Sequence, residues 1–160
     1  MSAVLKGQPP LIRPMRPEDL LPVAQLEQLV YEFPWTVGIF RDCMLAGYKT
    51  VALESNGEIA GYSIMSVAAG EAHLLNICIA PALREQGEGR RLLEHMLAHA
   101  LAAGADRVYL EVRPSNVRAL RLYREAGFEV IGVRRGYYRA HGGHEDAVVL
   151  IRRLGDELAD

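Results

Sequence analysis

Arg84-Glu85-Gln86-Gly87-Glu88-Gly89-Arg90 lies between a near-continuous apolar run, residues 74–81, and a helical pattern opening at Arg90. A strand that enters a glycine turn and then a helix leaves several backbone N–H groups unpaired at one spot. Those donors and the positive helix end suit a phosphate group. The two glycines let the chain bend sharply and let an anion approach the backbone closely. The chemistry implied is binding of a phosphate-bearing, nucleotide-derived ligand. A plain tight turn fits the same residues. So does a dinucleotide-binding unit, for which Glu111 stands the required ~20 residues onward, although Leu92 occupies the place of its third glycine.

Glu111 is the candidate base. It stands on the opposite strand face from Val108, Leu110 and Val112, and a carboxylate there could accept a proton directly or through a water. A solvated glutamate, or one paired with Arg113, fits the same spacing. Tyr123 falls on the apolar stripe of a helix; it fits either a half-buried core tyrosine or a hydroxyl that gives a proton to a leaving group. Asn116 stands beside Ser115, the expected cap of that helix, and could belong to the same cap. Cys78, with no neighbouring His or Lys to activate it, reads as inert packing. His95 and His99 have the spacing of a metal pair, but no third ligand is evident and solvated helix residues fit better. Arg134, Arg135, Tyr137 and Tyr138 form either a grip for a polar partner or an exposed twisted ribbon.

Positioning these groups takes a particular run of elements. Residues 11–15 read as a short strand, and Pro17 suits the first turn of a helix to about residue 32. Phe33-Pro34-Trp35 breaks it. Thr36 can cap a second helix closed by Gly47. Residues 48–54 and 58–67 read as strands joined at Asn56-Gly57, and residues 71–80 as a third strand of an antiparallel meander. After the glycine turn, Leu92, Leu93, Met96, Leu97, Ala100 and Leu101 form a helical stripe ended by Gly104. Residues 108–112 alternate as a strand. Ser115 opens the next helix, which stops before Gly127, and residues 128–139 and 145–154 pair around Gly142-Gly143. The order β-α-α-β-β-β-α-β-α-β-β predicts an α+β fold, a mixed and mostly antiparallel central sheet with helices on both faces.

With 160 residues, 50% of them hydrophobic, the chain can bury a real core, and length alone makes residues 1–160 a single domain with 1–8 as a flexible tail. A net charge of −2 gives no footprint for nucleic acid or anionic lipid. No apolar run approaches the ~20 residues a membrane span needs. A secretory signal pattern is lacking, and two cysteines make a poor disulfide framework. The expectation is therefore a cytoplasmic protein without metal, membrane or direct nucleic-acid partner.

Taken together the segments resemble the GCN5-related N-acetyltransferase (GNAT) superfamily. Its pyrophosphate signature, Gln/Arg-x-x-Gly-x-Gly/Ala, fits residues 84–89. The preceding residues 74–81, and Asn116 with residues 122–128, strengthen the match. A narrower likeness spans about residues 16–150. Phe33-Pro34-Trp35-Thr36, Leu110-Glu111-Val112-Arg113 with Ser115-Asn116, Arg134-Arg135-Gly136-Tyr137-Tyr138 and Glu145-Asp146-Ala147 look like the ribosomal-protein-alanine N-acetyltransferases.

The resemblance implies transfer of acetyl from acetyl-CoA to the N-terminal α-amine of a ribosomal small-subunit protein, alanine preferred, by direct attack in a ternary complex. It implies that backbone groups of Ile77, Cys78 and Ile79 meet the pantetheine arm. Glu85, Gln86, Gly87, Glu88, Gly89 and Arg90 would wrap the pyrophosphate, and Asn116 would also contact the cofactor. Glu111 matches the family's general base and Tyr123 its general acid. Glu85 and Glu88 depart from the family by placing acidic residues in the loop, and His144 stands where an arginine is common. A monomer is expected, and two other functions share the features: acetylation of a small amine or lysine side chain, and a catalytically weak CoA-binding regulatory module.

Overall fold

The computed structural model describes residues 9–155, so the expected tail, residues 1–8, lies outside the described residues. Hydrogen bonding orders seven strands as β1-β2-β3-β4-β5-β7-β6, with four helices between them. The elements follow the predicted order: β1 (Leu11–Pro14), α1 (Leu20–Val30), α2 (Val37–Leu45), β2 (Lys49–Ser55), β3 (Glu58–Ala68), β4 (Glu71–Ile79), α3 (Glu88–Ala102), β5 (Arg107–Val112), α4 (Val117–Glu125), β6 (Glu129–Ala140) and β7 (Gly143–Arg153). The sheet is mixed, as expected. β1–β2, β2–β3, β5–β7 and β6–β7 run antiparallel, whereas β4 and β5 pair in parallel, Glu71↔Arg107 to His73↔Tyr109. Among the described residues no helix is long and apolar enough to cross a membrane.

The backbone divides into two compact units. One runs up to Met65 and adds Asn76–Leu93; the other comprises Ser66–Leu75 and the residues from Glu94 on.

In the first unit, Pro17 sits not in the α-helix but in a 3-10 turn, Pro17–Asp19, that precedes α1. Thr36 caps α2 as expected, its hydroxyl accepting Ile39 N–H at 3.3 Å. Asn56 and Gly57 both take positive φ, 53° and 79°, the backbone a two-residue hairpin demands. Val23, Phe40, Tyr62 and Ile64 are completely buried. Gly61 is a close-approach glycine: a Cβ there would stand 2.7 Å from the Cys78 carbonyl oxygen.

In the second unit, Val108, Leu110 and Val112 point into the core while Tyr109 and Glu111 share the other face of β5. The antiparallel pair β6–β7 is interrupted: Arg134 faces Ala147, yet Tyr138 faces Glu145. Three residues of β6 thus oppose one of β7. Gly136, at φ 63°, turns the bulge, and its N–H donates to Asp146 Oδ1 at 2.8 Å. Such a bulge re-aims the side chains on either side of it, here the Arg-Arg-Gly-Tyr-Tyr stretch.

Candidate active site

The glycine turn is partly helix. α3 begins at Glu88, two residues before the expected start, so Glu88, Gly89 and Arg90 occupy its first turn. Arg91 N–H makes the first bond back, to Gly87 O at 3.0 Å, and the three N–H groups before it point out of the helix end. Glu85 and Gly87 take φ of 65° and 81°. A non-glycine residue held there costs about 1 kcal/mol, and alternation of hands along a turn lines its N–H groups into an anion-binding concavity. A Cβ at Gly87 would meet nothing within 4 Å, so the turn is open above it. The acidic Glu88 is itself paired: Arg91 Nε and Nη2 reach its Oε1 at 2.9 and 2.8 Å.

Within the same unit the Ile77 carbonyl accepts the Tyr31 hydroxyl at 3.1 Å. One backbone acceptor of the Ile77–Ile79 stretch is therefore already engaged. Beside it lies a buried carboxylate that sequence reasoning missed. Glu27, 3% exposed, accepts Tyr62 O–H at 2.7 Å, Asn76 Nδ2–H at 2.9 Å and Trp35 N–H at 2.9 Å. Three donors offset the cost of burying the charge and tie the Phe33-Pro34-Trp35 break to β3 and β4. Trp35 then packs its ring on Phe40, centroids 5.2 Å apart. Burial pushes the Cys78 thiol up to about 11, which suits a packing residue and not a nucleophile.

In the second unit Glu111 is neither solvated nor paired with Arg113. Its side chain is 5% exposed, and its Oε1 lies 2.6 Å from His73 Nε2. The His73 ring stacks on Tyr109 at 4.3 Å and 18°. Arg113 instead reaches Glu145 Oε1 at 3.2 Å and covers the Tyr138 ring at 4.4 Å. Glu145 also accepts from Ser115, hydroxyl to Oε1 at 3.2 Å and N–H to Oε2 at 3.1 Å. Ser115, then Arg113, hold the Glu145 carboxyl below the usual carboxylate range.

Ser115 directs its hydroxyl and its N–H to Glu145 and does not cap α4. Asn116 does, its Oδ1 accepting Ala119 N–H at 3.2 Å. The cap uses the amide oxygen alone; the amide N–H₂ is a separate donor.

Tyr123 is buried more deeply than half, at 6% exposure, with its ring 5.7 Å from Phe128. Burial alone raises its pKa above the ordinary tyrosine value. Tyr138 is raised as well, chiefly by burial and then by Tyr137, Glu111 and Tyr123; its hydroxyl thus lies within the electrostatic reach of both candidate catalytic groups. The second unit therefore gathers an ionisable carboxylate, a histidine on it and two phenols that keep their protons. His95 and His99 enter no such group: among the described residues no three His, Cys, Asp or Glu side chains come together to hold a metal.

The model of the Acetyltransferase (GNAT) family matches residues 18–128. The [ribosomal protein bS18]-alanine N-acetyltransferase of Escherichia coli K12 is 37% identical over 132 residues, 82% of this chain and 89% of the relative. The crystal structure of the ribosomal-protein-S18-alanine N-acetyltransferase from Escherichia coli superposes with a TM-score of 0.84 at 34% identity, over 91% of this chain and 94% of that one. A Salmonella typhimurium structure, yncA with its cofactor acetyl-CoA, shares the fold at a TM-score of 0.77 and 18% identity, covering 93% and 96% of the two chains.

Proposed function

The chain belongs to the GNAT family of acetyltransferases, and from that premise we propose that it acetylates the N-terminal alanine α-amine of ribosomal protein bS18, in the cytoplasm. The observation that carries this reading is the 37% identity to a bS18-alanine N-acetyltransferase across 82% of this chain and 89% of that one.

The chemistry of the residues supports it. Acetyl-CoA supplies the acetyl group as a thioester. The turn at Glu85–Arg90 binds its pyrophosphate through N–H groups of the α3 end. Backbone groups of Ile77, Cys78 and Ile79 hold the pantetheine arm, with the Ile77 carbonyl excepted because Tyr31 holds it. Asn116 reaches the cofactor with its amide N–H₂ while its oxygen keeps the cap.

Glu111 takes the proton from the incoming amine, directly or through a water. Freeing an α-amine of pKa roughly 8 at pH 7 costs about 1.4 kcal/mol, against about 4.6 for a lysine near 10.4. A carboxylate base is therefore better matched to a chain terminus than to a lysine. The freed amine attacks directly in a ternary complex. Tyr123 hydrogen-bonds the leaving sulfur. Its raised pKa against a thiol of about 8.5 makes it a donor that stabilises the thiolate and keeps most of its own proton.

The test is CoA release from acetyl-CoA with two peptides. One begins with a free alanine; the other is the same peptide, N-terminally blocked and carrying an internal lysine. Turnover on the first alone is the expected result. Turnover on the blocked peptide would redirect the assignment to lysine, and silence on both with CoA still bound would indicate a regulatory module.

A further inference from the structure

We propose that His73 is the positioning residue of Glu111, a role that rests on Glu111 being the base. His73 lies on β4 and Glu111 on β5, where the parallel register sets His73 opposite Tyr109. Glu111 is two residues beyond Tyr109, so the two side chains are diagonal neighbours on one face. The His73 ring lies flat on Tyr109 at 4.3 Å, which fixes its plane. From there Nε2 meets Glu111 Oε1 at 2.6 Å. Among the described residues it is the one side chain hydrogen-bonded to Glu111. Glu111 acts electrostatically on Tyr109 and on Tyr138, and the other charged and titratable groups acting on those two are Glu71, Arg113, Tyr123, Arg134 and Tyr137.

A base must already be ionised when the substrate arrives, and an ionised carboxylate only accepts. The bond therefore has Nε2–H donating to Oε1. It removes the freedom of a side chain with three rotatable bonds and leaves Oε2 as the atom that receives the proton. In the step itself the amine N–H bond breaks, an O–H bond forms at Oε2, and the electron pair stays on nitrogen as the nucleophile. His73 keeps its own proton throughout. Without it the carboxylate samples orientations that miss the amine, and small misplacements of a reacting group cost one to two orders of magnitude in rate.

The test compares wild type, H73L, H73Q, H73N, E111Q and H73L/E111Q with acetyl-CoA and the alanine-first peptide. H73L is expected to lower kcat about tenfold or more while the acetyl-CoA KM stays within about twofold. H73Q restores most of the rate, because its amide N–H₂ sits near the Nε2 position; H73N, whose shorter amide does not reach, stays slow. In the E111Q background H73L costs nothing further, since its effect passes through Glu111. Wild-type kcat in H73L, or the same fractional loss with and without Glu111, overturns the proposal. If H73L melts far below wild type, H73Q against H73N decides, and equal rates in those two overturn it. Full activity in E111Q would remove the base and this role with it, whereas a slow E111Q beside a fast H73L would sink the role of His73 alone.

Discussion

Arg91 closes Nε and Nη2 on one oxygen of Glu88, at 2.9 and 2.8 Å, three residues back on the same helix. Glu88 is the first residue of α3, so its charge belongs to the helix end that is proposed to bind the pyrophosphate. Unpaired, it would repel that ligand. Arg91 also donates to the Pro10 carbonyl, which anchors the guanidinium. Arg91→Met is therefore expected to weaken acetyl-CoA binding by about 1 kcal/mol, roughly fivefold. Adding Glu88→Gln should recover most of that loss. Titration calorimetry on the two variants checks it, and unchanged affinity in Arg91→Met would show that Glu88 does not face the phosphates.

Tyr123 makes a prediction about alkaline pH. Burial raises its pKa above the usual value near 10, so the folded protein keeps the phenol protonated at a pH where a free tyrosine begins to ionise. The donor proposed at the leaving sulfur has to carry its proton, so this favours activity at higher pH. With saturating substrates, kcat should not fall between pH 8 and 10 through loss of this proton. Tyr123→Phe should lower kcat about 10²-fold, the lower range for a positioned acid, and leave the melting temperature nearly unchanged because the ring against Phe128 is kept. A variant that unfolds, or an alkaline limb below pH 10 that Tyr123→Phe removes, would contradict the assignment.

The order of elements was legible because local rules carried it. Asn56-Gly57 takes the two positive φ values of a hairpin, and Gly104, at φ 91°, follows α3 as its stop. As candidates, Glu111 and Tyr123 were legible through their likeness to a family and through strand and helix periods. His73 was not. Its partner lies 38 residues away, and only the parallel register of β4 and β5 makes them neighbours; no period within either strand signals that. Glu27 was missed for the same reason, with partners 35 and 49 residues distant. The cap was misjudged by one residue: Ser and Asn are equally good caps, and the choice of Asn116 follows from Glu145, 30 residues on, taking Ser115.

Asp19 ties stability to pH. It accepts Arg13 Nη1 and Nη2 at 2.7 and 3.0 Å and Arg16 N–H at 2.7 Å. Arg13 above all, then the Arg16 amide, hold its carboxyl below the ordinary range. A carboxyl depressed in the folded state contributes its full stability above the unfolded value, about 3.9, and loses it as pH falls through the lower folded one. Unfolding free energy from urea titrations should therefore drop below about pH 4. Asp19→Asn should cost about 2 kcal/mol at pH 7 and flatten that acid slope. An unchanged slope in the variant would assign the acid sensitivity to other carboxyls.

The cysteines decide between direct attack and an acyl-enzyme. Cys43 and Cys78 are both buried and unpaired; burial raises both thiols, Cys78 to about 11. At pH 8 a thiol of ordinary pKa, about 8.5, is roughly one-quarter thiolate, whereas one near 11 is about one part in a thousand. Only the thiolate attacks a thioester or an alkylating agent. Iodoacetamide should therefore leave both cysteines largely untouched in the native protein and label both once it is unfolded in urea. By the same reasoning, acetyl-CoA mixed with enzyme in the absence of any amine should release no stoichiometric burst of CoA, and intact-mass measurement should find no acetyl adduct. A burst equal to the enzyme concentration, abolished by Cys78→Ala, would replace direct attack with transfer through the thiol.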